Sequence, residues 1–156
     1  MKLSQYLSAF LFVAFMAASP VAHAQQEGGT KAEAQDMTTK AVFLINTQGR
    51  GAAFDAFDKA DGGFKKKDLY VFVYDLEGVN VFHAANKALQ GKNLITLKDP
   101  NGKLLIADIV STCKDKGEGW VDYMWFDKDI GKVLAKSSFV KKTNDDLCVG
   151  VGVYTH

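Results

Sequence analysis

The stretch DLYVFVYDLEGVNVFH, Asp68 to His83, gathers the side chains of this chain best able to do chemistry. Aromatic residues fill alternate positions of its first arm (Tyr70, Phe72, Tyr74), and an imidazole, His83, ends the second. Phenols, an imidazole and, further on, Lys136 offer hydrogen-bond donors and a cation. Set in an apolar surface, such groups suit a small anion, above all a carboxylate. Catalysis would need a nucleophile with its base, paired carboxylates or a metal cluster. Beyond the first 24 residues the only histidines are His83 and the terminal His156. The run Asp127-x-Asp129-x-Gly131 has Lys132 and Ser138 where an EF-hand calcium loop needs glycine and glutamate. Gly150-x-Gly152 falls inside a strand pattern, so it is not a phosphate loop. The reading is a binding domain with no enzyme activity, no metal and no cofactor.

The elements that carry these residues begin after a leader. Residues 1–24 hold one charge, Lys2, then an apolar run from about Leu7 to Ala18, then Ala22-His23-Ala24 before a polar QQEGG. That order is the signature of a secretory signal peptide cut after Ala24. The expected mature chain is therefore one domain, residues 25–156, in the periplasm or secreted. The full chain has 19 basic and 18 acidic residues, and losing Lys2 balances them. A neutral domain has no electrostatic footprint for nucleic acid or an anionic membrane. The one basic run, Lys65-Lys66-Lys67, reads as a solvated edge. Cys113 and Cys148 both lie in the exported part, so a disulfide is the default pairing, with buried free thiols as the alternative.

Thr30 and Glu33 have capping-box spacing, and Ala34, Met37, Ala41, Leu44 and Ile45 recur at helical steps up to Gly49. A shorter helix carries Phe54 and Phe57. From Asp68 the period changes to two, giving strands over Leu69 to Asp75 and Val79 to His83 about a Glu77-Gly78 turn. Leu105, Ile106, Ile109, Val110 and Cys113 restore a helix. Strands over Glu118 to Phe126, Val133 to Lys141 and Leu147 to Tyr154 follow. The order predicts an α+β domain: a PAS-like antiparallel five-stranded sheet preceded by a long N-terminal helix.

Pairing parity puts Tyr70, Phe72 and Tyr74 on one face with Val79, Val81 and His83. Leu147, Val149, Val151 and Val153 of the last strand suit the face against the helix. Its alternate residues include Gly150 and Gly152, which leave space on the other face. The open face is expected to bear the aromatic row, His83 and Cys148, so the helix carrying Cys113 must lie over it. Phe72, Tyr74 and His83 would form the rear wall of a pocket flanked by Tyr123, Trp125 and Tyr154, with Lys136 as a further polar tip. On pattern alone, an aromatic row or a lone histidine is more often core, and a strand lysine more often solvated.

The segments DLYVFVYDLEGVNVFH, GKNL, KDPNGK, GEGWVDYMWFD, KSSFVKK and VGVGVY, in this order, resemble the single Cache domain family. That family is the extracytoplasmic PAS-like sensing fold of bacterial chemoreceptors and sensor kinases. The likeness runs from about Ala34 to Tyr154. It implies a small-molecule sensor whose ligand sits against the sheet, such as acetate, propionate, pyruvate or lactate. It also implies a membrane sensor or transporter partner that reads a shift of the N-terminal helix, and a homodimer through that helix. The chain resembles the free-standing exported form. Ala84 stands where members commonly have proline after the histidine, and Phe139 where they have tyrosine; both changes are expected to touch the pocket. The alternative is an accessory or structural protein-interaction domain in the periplasm that has lost its ligand.

Overall fold

The computed structural model describes residues 28–155. The leader, its cleavage point and His156 lie outside the described residues.

The first helix, α1, spans Lys31–Asp58. Its start is the expected capping box: the Thr30 hydroxyl accepts the Glu33 N–H at 3.2 Å, and the Glu33 carboxylate accepts the Thr30 N–H at 2.9 Å. Its buried stripe is Ala34, Met37, Ala41, Val42 and Ile45. The two helices expected from the sequence are one element broken at Gly49, whose φ of 79° is open to glycine at little cost. The strands are β1 (Lys65–Lys66), β2 (Leu69–Asp75), β3 (Asn80–His83), β4 (Glu118–Asp127), β5 (Lys132–Lys142) and β6 (Leu147–Thr155), with α2 (Leu105–Lys116) between β3 and β4. No helix among the described residues is long and apolar enough to cross a membrane.

The antiparallel sheet runs β1-β2-β6-β5-β4, with β3 also pairing β2. It has six strands rather than five, because Lys65-Lys66 turns back onto Leu69-Tyr70. Two residues carry no periodic signal, so that hairpin is invisible in the pattern. The lysine run is nonetheless exposed, as expected. The main hairpin pairs Phe72 with His83 and Val73 with Phe82, which is the predicted parity. Beyond that point the register slips and Tyr74 faces Asn80. Val81 is the extra residue of this bulge and packs on the α1 side instead of with the aromatic row.

Both faces are covered. Leu69, Val71, Val73, Val149, Val151 and Val153 pack under α1. Phe72, Tyr74, Tyr123, Val140 and Cys148 pack under Leu105, Ile106, Ile109 and Cys113 of α2. Cys113 and Cys148 form a disulfide with Cα atoms 5.8 Å apart, and it ties α2 to β6 on the aromatic face. Closing the 35-residue separation stabilises by about 3–4 kcal/mol on chain entropy.

The two departures from the family pattern fall differently. The Ala84 N–H donates to the Val71 carbonyl at 3.0 Å, a bond no proline could make. Phe139 does not touch the pocket: its ring packs on Trp120, centroids 5.4 Å apart, on the α1 side. Strand parity decides this, since Lys136 and Ser138 point to the α2 face and Phe139 to the other.

Candidate functional site

Gly150 and Gly152 make the α2 face possible. A methyl group at 150 would run into the Phe72 ring, and one at 152 into the Lys136 stem and the Ser138 hydroxyl. The space the sequence left open therefore holds protein side chains. The tip of the Phe72 ring fills one gap, and the aliphatic stem of Lys136 crosses the other.

Beside α2 the segment that follows β3 (Ala84, Ala85, Asn86 and Leu89) also borders this face of the sheet. There, Tyr70 of β2, His83 of β3, Trp125 of β4 and Tyr154 of β6 line a cleft of about 410 Å³. Its rim is charged and mixed, with Lys65, Lys67 and Asp68 on one side and Asp127, Lys128 and Asp129 on the other. The His83 ring stacks near Trp125 at 6.2 Å and tilts against Tyr70 at 5.1 Å. Its Nδ1 accepts the Asn86 N–H at 3.0 Å, which leaves the neutral ring's proton on Nε2 as a donor. Burial, followed by the positive charges of Lys136 and Lys128, pushes the imidazole down to about 3. His83 is neutral at physiological pH.

Lys136 is only 2% exposed. Its ammonium donates to the Tyr70 hydroxyl at 2.6 Å and lies 4.0 Å from the Tyr70 ring centre and 4.5 Å from that of Tyr154. None of the ion pairs among the described residues includes it. Burial pushes it down to about 7, while the more distant Asp68 and Asp127 pull the other way. Because Lys136 donates to the Tyr70 oxygen, the Tyr70 proton is left for another acceptor. Burial raises Tyr70 well above the ordinary phenol range, and Tyr74 and Tyr123 also rise. Tyr154 is pushed up to about 12 by the same cause. The inner site therefore presents neutral donors around a lysine that has no ion pair among the described residues and is about half charged near pH 7, with acids only at the rim. That field complements a single negative charge.

The structure separates the sequence-predicted site residues into three groups. His83, Trp125 and Tyr154 line the open cleft. Lys136 lies behind Tyr70 and Tyr154 rather than on the cleft surface. Phe72, Tyr74 and Tyr123 lie deeper, with Leu105, Ile106 and Ile109, around a residual space of about 10 Å³ that Tyr70, His83 and Trp125 also border. The Tyr123 hydroxyl is bonded to Ser138 at 2.7 Å. Tyr70 was missed as a site residue, although its position in the aromatic row was the signal. Lys67 and Asp68 were missed because a lysine run at a turn reads as solvent-facing. The acidic run after β4 makes a turn, with the Asp127 carboxylate accepting the Asp129 N–H at 2.8 Å.

The Cache domain family matches this chain over residues 60–156. A curated sensor histidine kinase, MctS of Rhizobium johnstonii, is 38% identical over 89 residues, which make up 56% of this chain and 19% of the kinase. The chain thus spans less than a fifth of that relative. A solved methyl-accepting chemotaxis protein from Vibrio parahaemolyticus superposes with a TM-score of 0.68 at 27% identity, covering 80% of this chain and 87% of that one. A Cache chemosensory domain, solved to explain carboxylic acid recognition, superposes with a TM-score of 0.63 at 24% identity, covering 78% and 86%. At that identity the last likeness is one of fold.

Proposed function

The chain belongs to the Cache domain family, and from that premise we propose that it is an exported sensor domain for a short carboxylate such as acetate, propionate, pyruvate or lactate. One observation carries the ligand class: Lys136 is a buried amine with no ion pair among the described residues, hydrogen-bonded to Tyr70 and beside the ring of Tyr154, two residues that line the cleft. An isolated buried charge is costly, and an incoming carboxylate supplies the missing partner. Tyr70, Tyr154 and the Nε2–H of His83 would orient it, and Trp125 would cover its carbon chain. A relative of the same fold recognises carboxylic acids, which agrees with that chemistry. The matched receptor and kinase are signalling proteins, so this domain would act on a membrane sensor or transporter rather than on a substrate. Location in the periplasm or outside the cell rests on the leader and on the family. A homodimer through α1 is supported by Phe43, which stands 67% exposed on that helix.

The test is thermal melting of the mature chain against a panel of short organic acids, amino acids and purines. A ligand at one hundred times its dissociation constant stabilises by about 2.7 kcal/mol, roughly 8–12 °C for a domain of this size. A shift confined to short acids and lost in His83→Ala supports the reading. The alternative, a ligand-free interaction domain, draws on the packed interior, where Phe72, Tyr74 and Tyr123 leave only about 10 Å³. A flat panel, with no small molecule released on denaturation, would favour it.

A further inference from the structure

We propose that Lys67 is a shared counter-ion: in the empty domain it holds the first turn of α1 through Glu33, and a carboxylate in the cleft draws it away and loosens that turn. The inference rests on the carboxylate reading above and adds the route by which occupancy reaches the helix.

Lys67 has two surroundings at once. It lines the cleft, and its ammonium lies 3.3 Å from the Glu33 carboxylate and 3.3 Å from the Gly28 carbonyl. Its neighbour Lys66 takes the other Glu33 oxygen at 2.9 Å but does not line the cleft. Asp68, also on the rim, accepts the Gly29 N–H. The β1–β2 turn therefore clasps the chain entering α1 and simultaneously forms one wall of the cleft. Lys67 sits in the left-handed region, with φ 58°. That conformation is costly for a residue with a side chain, and such residues cluster at ligand clamps and switch regions. Three residues on, Tyr70 holds Lys136, so the clasp and the inner cation belong to the same strand end.

The ion pair is suited to exchange. Lys67 and Glu33 are 29% and 28% exposed, and pairs in contact with water are weak enough to be outcompeted. Of the other rim lysines, Lys65 is engaged by Asp58 and Lys128 lies across the cleft. When the carboxylate recruits Lys67, Lys66 and the Asp68–Gly29 bond remain, so the helix start gives up one of its tethers and is loosened without losing its cap. Linkage is reciprocal: whatever weakens the Glu33 claim on Lys67 must strengthen the ligand's.

The decisive variant is Glu33→Gln in the mature chain. Glutamine keeps the capping box, because its amide oxygen still accepts the Thr30 N–H, but it gives up the charge. Titrating whichever of acetate, propionate, pyruvate or lactate shifts the melt, we expect E33Q to bind about two- to five-fold tighter than the parent and Lys67→Met to bind weaker by a similar factor. Ligand should also speed amide exchange at Gly29, Glu33 and Ala34 in the parent but not in K67M. Equal affinities for parent and E33Q, with unchanged exchange at those amides, would overturn the switch while leaving the sensor reading intact. Failure of every acid to bind the parent would overturn both.

Discussion

Replacing Lys136 with methionine should make the empty protein more stable and deaf to carboxylates. The magnitude follows from linkage. The ammonium titrates at about 7 in the folded chain against an ordinary lysine value of 10.5, and each unit is worth 1.36 kcal/mol. Below pH 7 the folded state therefore carries a penalty of roughly 5 kcal/mol. Methionine fills much the same volume over Gly152 without the charge, but it loses the Tyr70 hydrogen bond and the contacts with two rings. A net gain of about 2–4 kcal/mol remains, or roughly 8–15 °C in melting temperature. The pH dependence gives the sharper check. As pH rises from 7 to 10.5, the folded lysine has shed its proton and the unfolded one still holds it, so the penalty shrinks progressively across the window and is gone by about pH 10.5. The sign of the slope follows from the proton count: the unfolded state binds more protons across this window, so stability of the parent rises with pH and the advantage of K136M shrinks. Melting curves at pH 6.5, 8.5 and 10 measure this directly. Equal or lower stability of K136M at pH 6.5, or a gap that stays constant to pH 10, would refute the picture of an uncompensated buried cation.

Two further outcomes follow from named contacts. The folded His83 resists protonation down to about 3, against 6.5 unfolded, so the parent should lose stability as pH falls from 6.5 toward 3, with a slope approaching 1.4 kcal/mol per unit. His83→Gln should remove that part of the slope in acid denaturation curves, and an unchanged slope would place the proton elsewhere. Gly152→Ala sets a methyl group against the Lys136 stem and Ser138; we expect a loss of about 1–3 kcal/mol in urea unfolding, together with weaker carboxylate binding, whereas a neutral result would mean that the stem has room to move.

How much of this was legible beforehand depended on whether a residue's environment is set by its own strand. The Thr30–Glu33 cap, the Gly49 break and the period of β2 are local, and the structure has them where the pattern put them. The pairing of Phe72 with His83 needed only parity, and the placement of α2 over the aromatic face followed from Cys148 sharing that face. Val81 escaped because a bulge breaks parity without leaving a signature. Lys136 was ambiguous because its burial depends on Tyr70, Tyr154 and Gly152, from three separate strand positions, closing around it. The depth of the rear wall was ambiguous for a like reason. Phe72 and Tyr74 share the face of His83, but α2 covers them and ends short of Tyr70, a boundary set by tertiary packing.

The break at Gly49 makes α1 a lever. Its C-terminal arm is anchored, with Phe54 stacked on Phe82 at 4.9 Å and Phe57 against Phe64 at 4.6 Å. The arm from Lys31 to Gln48 is about 27 Å long at 1.5 Å per residue, with the Lys67 clasp near its far tip and the glycine as its fulcrum. A tilt of about 5° at that fulcrum would carry the tip through roughly 2 Å. That arm is itself packed on the sheet through Ala34, Met37, Ala41, Val42 and Ile45, so a movement of its tip would carry the underlying strands with it, and a neighbouring protein would feel helix and sheet shift together.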